Sequence, residues 1–292
     1  MKLSRRDMWY GYAFVLPMVA GYIIFLLIPI ITAMVMSFSD WSFTRELSWV
    51  GWSNYDKLLN QDAIFKKSLF NTLYFSVGLV PLNILLALSL ALLLNRNIKG
   101  IGLFRTAIFT PVVVSIVVWA IVWKYIFATD GLINSILSLF GIDGPVWLYD
   151  MHLTMPVVIV ISVLKNVGLN MVIFLAGLQD VPRLYYEAAS IDGASKWKTL
   201  LHITLPQISP SIFLALIITL IGSLQVFGQV YVMTGGGPAN STMVLVYYIY
   251  QQAFNLYEFG YASAIACVLF AIILALTIIQ WYMRKRWVHF EN

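Results

Sequence analysis

Six long apolar stretches constrain this chain more than any other feature of its sequence. A helix of about 20 residues crosses the hydrocarbon core of a bilayer, which is about 30 Å thick. Stretches of that kind run over Trp9–Phe38, Leu69–Leu94, Leu103–Phe127, Leu153–Leu178, Ser211–Val232 and Tyr261–Met283. Charged residues make up 11% of the chain, against roughly 25% in soluble domains. The sequence therefore predicts an all-α, polytopic membrane protein with six transmembrane helices in a single domain over residues 1–292.

Lysine and arginine predict the orientation of these spans, because both residues accumulate in cytoplasmic loops. With the N-terminus inside, twelve lie in inner segments, namely Lys2, Arg5, Arg6, Arg96, Lys99, Arg105, Arg183, Lys196, Lys198, Arg284, Lys285 and Arg286. Four lie in outer loops, namely Arg45, Lys57, Lys66 and Lys67, whereas Lys124 and Lys165 lie within spans. Both termini are therefore predicted to be cytoplasmic. The net charge of +5 reflects this topology and predicts no binding to nucleic acid.

The longest interior loop, Gln179–Pro210, is predicted to contain two short helices. Pro182 suits the first turn of a helix, where its missing N–H costs little. That helix is expected to stop near Gly193, because glycine permits a positive φ. A second helix is predicted from about Ser195 to Ile203, closed by Leu205-Pro206.

The second of these helices is amphipathic, with Trp197, Leu200 and Leu201 at i, i+3 and i+4. Isolated helices shorter than about 12–15 residues are marginal in water. The Trp197 face must therefore be covered. Either the membrane surface and the protein's own helices cover it, or the loop inserts into the cleft of a partner protein.

The same loop carries a spaced motif. Glu187-Ala188-Ala189 is followed by three residues, Gly193, nine residues and then Ile203-Thr204-Leu205-Pro206. This pattern resembles the EAA loop of permease subunits from binding-protein-dependent ABC importers. Flanking segments between Gly51 and Tyr261 are similar to the sugar-importer branch of that family, which includes maltose-type and multiple-sugar permeases.

The resemblance implies a type I ABC importer permease fold in the cytoplasmic membrane. It implies a core permease domain over residues 68–282, which contains the coupling loop 179–210. In that family the loop transmits closure of two cytoplasmic ATP-binding subunits to the membrane helices. The other implied partners are a second homologous permease and an extracytoplasmic solute-binding protein. The implied cargo is a sugar, with an oligosaccharide expected, and the alternative is glycerol phosphate or a polyol.

The resemblance carries over five coupling residues by position, namely Glu187, Ala188, Ala189, Gly193 and Pro206, and the amphipathic second helix and the end of the motif add Trp197, Ile203 and Leu205. The set predicted to contact the ATPase is Glu187, Ala188, Ala189, Gly193, Trp197, Ile203, Leu205 and Pro206. The alanines allow close helix contact, the glycine sets the bend, and the glutamate offers a charge to a partner or to the loop's own backbone.

No catalytic constellation is found in the sequence. The phosphate-binding pattern G-x-x-x-x-G-K-[ST] is absent, and the single Cys267 and three scattered histidines form no metal-ligand spacing. The chain is therefore expected not to be an enzyme and to hold no cofactor. ATP and magnesium are expected in the partner ATPase. A membrane-embedded enzyme would need acid–base or metal groups that the sequence lacks.

Polar residues within the predicted spans are costly in lipid and need partners. The residues predicted to line a substrate path are Lys165, Asn166, Asn170, Gln225, Phe227, Gln229 and Tyr231. The competing interpretation is that the amides join helices through hydrogen bonds, and that Lys165 reaches a carbonyl or a partner's carboxylate. The sugar-importer pattern has an acidic residue after the phenylalanine of span five, whereas this chain has Gly228 after Phe227.

An ion-coupled secondary carrier is the rival from another class of protein. Such carriers are expected to show paired broken helices in two related halves, together with intramembrane carboxylates. No Asp or Glu falls inside the six predicted spans, and the sequence predicts no paired broken helices.

Overall fold

A computed structural model describes residues 5–42, 45–96 and 98–287. The predicted location of Lys2 and of both termini therefore falls outside the described residues. The α-helices are α1 Arg5–Tyr22, α2 Ile28–Met36, α3 Ser53–Asp56, α4 Ala63–Leu94, α5 Ile101–Val113, α6 Ile116–Ile126, α7 Leu132–Leu139, α8 Thr154–Asp180, α9 Arg183–Ile191, α10 Lys196–Thr199, α11 Leu205–Gln207, α12 Ser209–Leu224, α13 Gly228–Met233, α14 Leu245–Tyr250 and α15 Phe259–Trp287. Single π-helical turns occupy Ile23–Leu27, Lys57–Gln61, Leu200–Thr204 and Gln251–Asn255. Two short strands, β1 Ser39–Ser42 and β2 Arg45–Trp49, form the sheet structure of the described chain.

The apolar helices agree with the predicted membrane protein. Four segments are each long and apolar enough to cross a bilayer, namely Trp9–Met36, Ala63–Leu94, Thr154–Asp180 and Phe259–Lys285. The number of crossings rises to six if each of two bent helix pairs counts as one. The all-α, six-span prediction is thereby confirmed at the upper count.

The described chain forms two compact units. The first contains the residues up to Asp62 together with Ile249–Ala271. In this unit β1 and β2 pair antiparallel, with Ser39 opposite Trp49. The Asn54 amide donates to the carbonyls of Ser37 and Ser39, both at 2.9 Å. These bonds fold the predicted outer loop into a hairpin that precedes α3.

The second unit contains Ala63–Tyr248 and the described residues from Ile272. Its core lies where α4 and α8 pack side by side and α12 and α5 join them. Small residues permit this close approach, as is usual between membrane helices. Ala87 and Ala91 of α4 are fully buried, and a Cβ on Gly168 of α8 would lie 2.9 Å from the Cα of Phe109 in α5.

The predicted third span, Leu103–Phe127, is wrong as a continuous helix. Helices α5 and α6 meet at an angle of 100°. The chain is extended at Val114 and Ser115, with ψ values of 137° and 138°. Pro111 precedes this break by a few residues, and proline removes a backbone donor and disturbs the preceding turn.

The predicted fifth span, Ser211–Val232, is also broken. Helix α12 ends at Leu224, α13 begins at Gly228, and Phe227 between them has φ −142° and ψ −60°. Spans three and five are thus both interrupted, which the sequence did not predict.

The second interior helix extends beyond its predicted end. The helical path continues from α10 through the π turn to α11 and ends at Gln207. Leu205-Pro206 does not close it, because Pro206 lies in the first turn of α11, where its missing N–H is tolerated. The segment Lys196–Gln207 then meets α12 at 67°.

Candidate functional site

The loop Gln179–Pro210, which was predicted to be interior, contains two helices that meet at Gly193. Helix α9 begins directly after Pro182, and Gly193 has a φ of +69°, in the left-handed region that glycine adopts readily. The Ser195 hydroxyl then caps α10 by accepting from the backbone N–H of Lys198 at 3.4 Å. Local chemistry thus places the bend where the sequence predicted it.

One side of the loop packs against the helical core of the second unit, to which the loop belongs. Ala189 is buried, and Tyr186 and Leu205 pack against the core formed by α4, α8 and α12. The hydroxyls of Tyr186 and Thr204 lie 3.3 Å apart and link α9 to the second helix of the loop. The remaining predicted coupling residues Ile203 and Pro206 are half-buried in this part of the loop.

The opposite side of the loop is exposed and partly apolar. Glu187 and Ala188 are exposed, and Trp197 exposes 67% of its surface. Leu184 and Ile191 on α9 are 71% and 86% exposed. These two residues were not predicted from the motif, although their positions on the face opposite buried Ala189 were a signal. Large exposed apolar side chains on one loop are typical of protein or membrane contact sites.

A cavity of about 330 Å³ lies beside the break that follows α12. Five of the predicted path residues line it, namely Asn166, Asn170, Gln225, Phe227 and Gln229. Irregular backbone at membrane depth is tolerated only where it is buried in protein or lines a water-filled space. The irregular residues between α12 and α13 meet this condition, because they line the cavity.

The amides of this cavity divide into two groups. Asn170 donates to Asn83 Oδ1 at 2.6 Å and to Thr219 Oγ1 at 2.7 Å, which joins α8 to α4 and α12. Asn166 and Gln225 are exposed, and in the described ranges neither makes a hydrogen bond. Asn170 therefore joins helices through hydrogen bonds, whereas Asn166 and Gln225 line the cavity without such bonds.

An aromatic cluster continues from the cavity along α13. The rings of Phe227 and Tyr231 are stacked, with centroids 5.3 Å apart and planes inclined by 19°. Tyr247 contacts both rings, with centroid distances of 6.2 and 6.1 Å. Tyr231 lies outside the cavity lining and reaches it only through Phe227.

Lys165 is not part of the cavity lining. Its ammonium donates to the carbonyls of Pro111, Val112 and Val114 at 2.6, 3.2 and 2.7 Å. Carbonyls in the last turn of a helix have no partner within it, and a cation is favourable at that negative end. Lys165 therefore caps α5 at the break in span three, as the carbonyl alternative predicted.

Relatives of this chain are transport proteins. Residues 83–289 match the family described as binding-protein-dependent transport system inner membrane component. Lactose transport system permease protein LacF of Rhizobium radiobacter is 38% identical over 281 residues, covering 94% of this chain and 94% of that protein. Arabinooligosaccharides transport system permease protein AraP of Bacillus subtilis (strain 168) is 37% identical over 287 residues, covering 94% of this chain and 90% of that protein.

A solved structure has the same fold. One chain of a bacterial alginate ABC transporter, crystallised in complex with an alginate pentasaccharide-bound periplasmic protein, superimposes with a TM-score of 0.83 and 27% identity. The superposition covers 97% of this chain and 96% of that chain. It confirms the predicted type I permease fold.

Permease subunits of ABC transporters are not enzymes, so the family also confirms that prediction. It excludes the secondary carrier as well, although the spans of this chain are broken. Among the described residues no group of three His, Cys, Asp or Glu side chains is arranged to hold a metal ion. This chain belongs to the binding-protein-dependent transport system inner membrane components, the multi-pass permease subunits of ABC importers.

Proposed function

We propose that this chain is one of two permease subunits in an ATP-driven importer of a neutral sugar, with an oligosaccharide expected. The observation that carries the proposal is the broken helix between Leu224 and Gly228, which opens on a cavity lined by amides and two aromatic rings, those of Phe75 and Phe227. In transporters, discontinuous helices near the middle of the membrane commonly form the substrate site.

The chemistry of the cavity supports a sugar. Amide groups donate and accept hydrogen bonds, which suits the hydroxyls of a carbohydrate, and Phe227 and Tyr231 offer apolar ring faces nearby. The volume of about 330 Å³ falls within the range of about 300–1,000 Å³ typical of small-molecule sites. The names of the lactose and arabinooligosaccharide permeases point to the same class of cargo.

The charge of the cavity favours a neutral solute over glycerol phosphate. None of the described residues that line it is charged. Lys165, the mid-span cation predicted for the path, is bonded to three carbonyls instead. A phosphate group buried without a cation would pay a large desolvation cost, so glycerol phosphate is disfavoured.

The proposed partners follow from the exposed loop and from the family. Two ATP-binding subunits, which hold ATP and magnesium, contact the loop through Glu187, Trp197 and their exposed neighbours. This chain holds no cofactor of its own, and both of its termini are cytoplasmic. A second permease completes the path, and an extracytoplasmic binding protein delivers the sugar.

Uptake into proteoliposomes tests this function. The full complex, assembled from this chain with its partner permease, ATPase subunits and binding protein, is assayed with neutral oligosaccharides, an acidic oligosaccharide and glycerol 3-phosphate. We expect ATP-dependent accumulation of a neutral oligosaccharide only. Selective uptake of glycerol 3-phosphate or of the acidic sugar would overturn the proposed cargo, and uptake without ATP would overturn the proposed energy source.

A further inference from the structure

A second, more polar pocket lies at the interior ends of the membrane helices, away from the sugar cavity. Its volume is about 530 Å³, and residues of the α4 end, the α5 start, the α8 end and the α9 start line it. Three of the lining residues are arginines, Arg96, Arg105 and Arg183. Asn95 and Gln179 add amide groups beside them. We name this the arginine pocket.

The described residues leave the positive charge of the arginine pocket without a carboxylate partner. No carboxylate lines it, and none of the three arginines forms an ion pair in the part of the chain that the structure describes. Arg105 donates through Nη2 to the carbonyl of Leu94 at 2.8 Å, whereas its Nε is buried without a hydrogen-bond partner there. The bond to Leu94 orients this guanidinium within the pocket.

Two helices also begin at the arginine pocket. Ile101 and Arg183, both lining residues, are the first residues of α5 and α9. Helix N-termini carry a partial positive charge, which favours anions. Three arginines, two amide residues and the first residues of two helices thus line one space, and guanidinium groups bind phosphate oxygens in bidentate fashion.

The surroundings of the pocket indicate what carries the anion. The pocket lies where α4 and α8 end, at the interior boundary of two membrane spans. The neighbouring apolar residues Ile98, Leu103 and Phe104 are 55%, 77% and 65% exposed. Basic pockets between membrane helices on the cytoplasmic side bind phospholipid headgroups, and exposed apolar groups beside such a pocket suit acyl chains.

We propose that the arginine pocket binds the phosphate-bearing headgroup of an anionic phospholipid in the inner leaflet. This inference rests on the proposed orientation of the chain but not on its cargo. Arg105 orients the site, and Arg96 and Arg183, which are exposed, contact the phosphate from the ends of α4 and α9. The lipid then bridges the membrane helices and the first helix of the coupling loop.

Lipid retention by the purified full chain tests the proposal. The probe is phosphatidylglycerol, compared with phosphatidylcholine, in detergent micelles, and retained lipid is counted by native mass spectrometry. Wild type is expected to retain phosphatidylglycerol preferentially. The variant Arg96→Gln with Arg183→Gln is expected to lose about 10- to 30-fold in this retention, because each basic residue near an anionic lipid contributes about 1 kcal/mol.

The matched control is Arg284→Gln with Lys285→Gln, which removes the same charge near the interior end of α15 without touching the pocket. Equal losses of lipid in the control and test variants would reduce the effect to general electrostatics and overturn the proposal. Unchanged lipid retention in the test variant would overturn it too.

Two further experiments measure thermal stability and assembly. If inorganic phosphate raises the Tm of wild type as much as phosphatidylglycerol does, the site binds a free anion instead. If assembly with the ATPase subunits expels the lipid, the pocket is a protein interface.

Discussion

The side-chain nitrogen of Lys165 lies 2.6 Å from the carbonyl oxygen of Pro111, at the end of a helix broken in mid-span. Two further carbonyls complete the contact, and the lysine side chain is only 7% exposed. The extended residues after α5 cannot donate to the last carbonyls of the helix. The Lys165 ammonium donates to the carbonyls of Pro111, Val112 and Val114 instead. Ile116, at the start of α6, then lies against Gly228, where a Cβ would meet it at 3.1 Å. The capped break therefore adjoins the wall of the cavity that Gln225, Phe227 and Gly228 line.

Replacing Lys165 by methionine is expected to destabilise the protein. The variant leaves three carbonyls in a poorly solvated site without their cation, and hydrogen bonds to charged groups contribute about 1.5–3 kcal/mol each. Thermal unfolding in detergent should show a clear fall in Tm. Lys124→Met is the matched control, because Lys124 is exposed and donates to one carbonyl, that of Val232, at 3.2 Å. A Tm for Lys165→Met equal to that of the control would contradict the capping role.

Two amides of the cavity are expected to fail in different ways. Asn170→Leu removes bonds to Asn83 and Thr219, and interhelical bonds of this kind contribute up to about 2 kcal/mol each. We expect reduced thermal stability for this variant, measured as a fall in Tm.

Gln225→Leu should leave assembly and Tm unchanged but raise the transport KM about 2- to 10-fold, as expected for one lost hydrogen bond. Unchanged KM and Vmax in Gln225→Leu would remove that residue from the path.

Gly222 provides a way to fill the cavity without disturbing the protein around it. This glycine lines the cavity on α12, and a Cβ there would meet no atom within 4 Å. Gly222→Phe is expected to lower transport more than about tenfold, because the ring occupies the space of the solute. Gly222→Ala is the control and should transport at nearly the wild-type rate. Normal transport by the phenylalanine variant would place the solute path elsewhere.

The bend at Gly193 is expected to be needed for coupling and not for membrane insertion. Proline holds φ near −65°, whereas Gly193 has a φ of +69°, so Gly193→Pro must rearrange the loop. We expect this variant to insert normally and to lose most uptake while the complex still hydrolyses ATP. The measurement is the ratio of sugar transported to ATP hydrolysed. A wild-type ratio would show that the bend plays no part in coupling.

Reversing the charge of Glu187 tests the exposed face of the loop. Glu187→Lys should weaken co-purification of the ATPase subunits or lower uptake, since a charge that faces a partner becomes repulsive. Asp143→Lys is the control, because Asp143 is also exposed but lies in a predicted outer loop. Equal behaviour of the two variants in ATPase co-purification would contradict a specific role for Glu187.

Local signals in the sequence predicted the interior loop well. Pro182 before α9 and glycine at the bend act within a few residues of their own position, so their effect can be read without the rest of the fold. The end of the second helix was predicted wrongly, because a local signal was interpreted without the helix that follows it. Pro206 was interpreted as a stop, but the first turn of α11 accommodates it.

The polar path was predicted only as a set of residues. Spacing of four residues placed Asn166 and Asn170 on one face of α8, but it could not distinguish their environments. That distinction depends on Asn83 and Thr219, which belong to other helices and approach Asn170 only in the folded protein. The arginine pocket was likewise invisible in the sequence, where its arginines had counted only toward topology.

The sequence by itself determined that this chain is an all-α membrane protein with up to six spans, and where the loop between spans four and five bends. These properties depend on apolar length, charge placement and turn chemistry, which act over short distances along the chain. Only the tertiary structure decided where spans three and five break, which amides face the cavity, and that Lys165 caps a helix. Those outcomes depend on which groups meet across different helices, because a polar group in lipid is stabilised by the partner that packing brings to it.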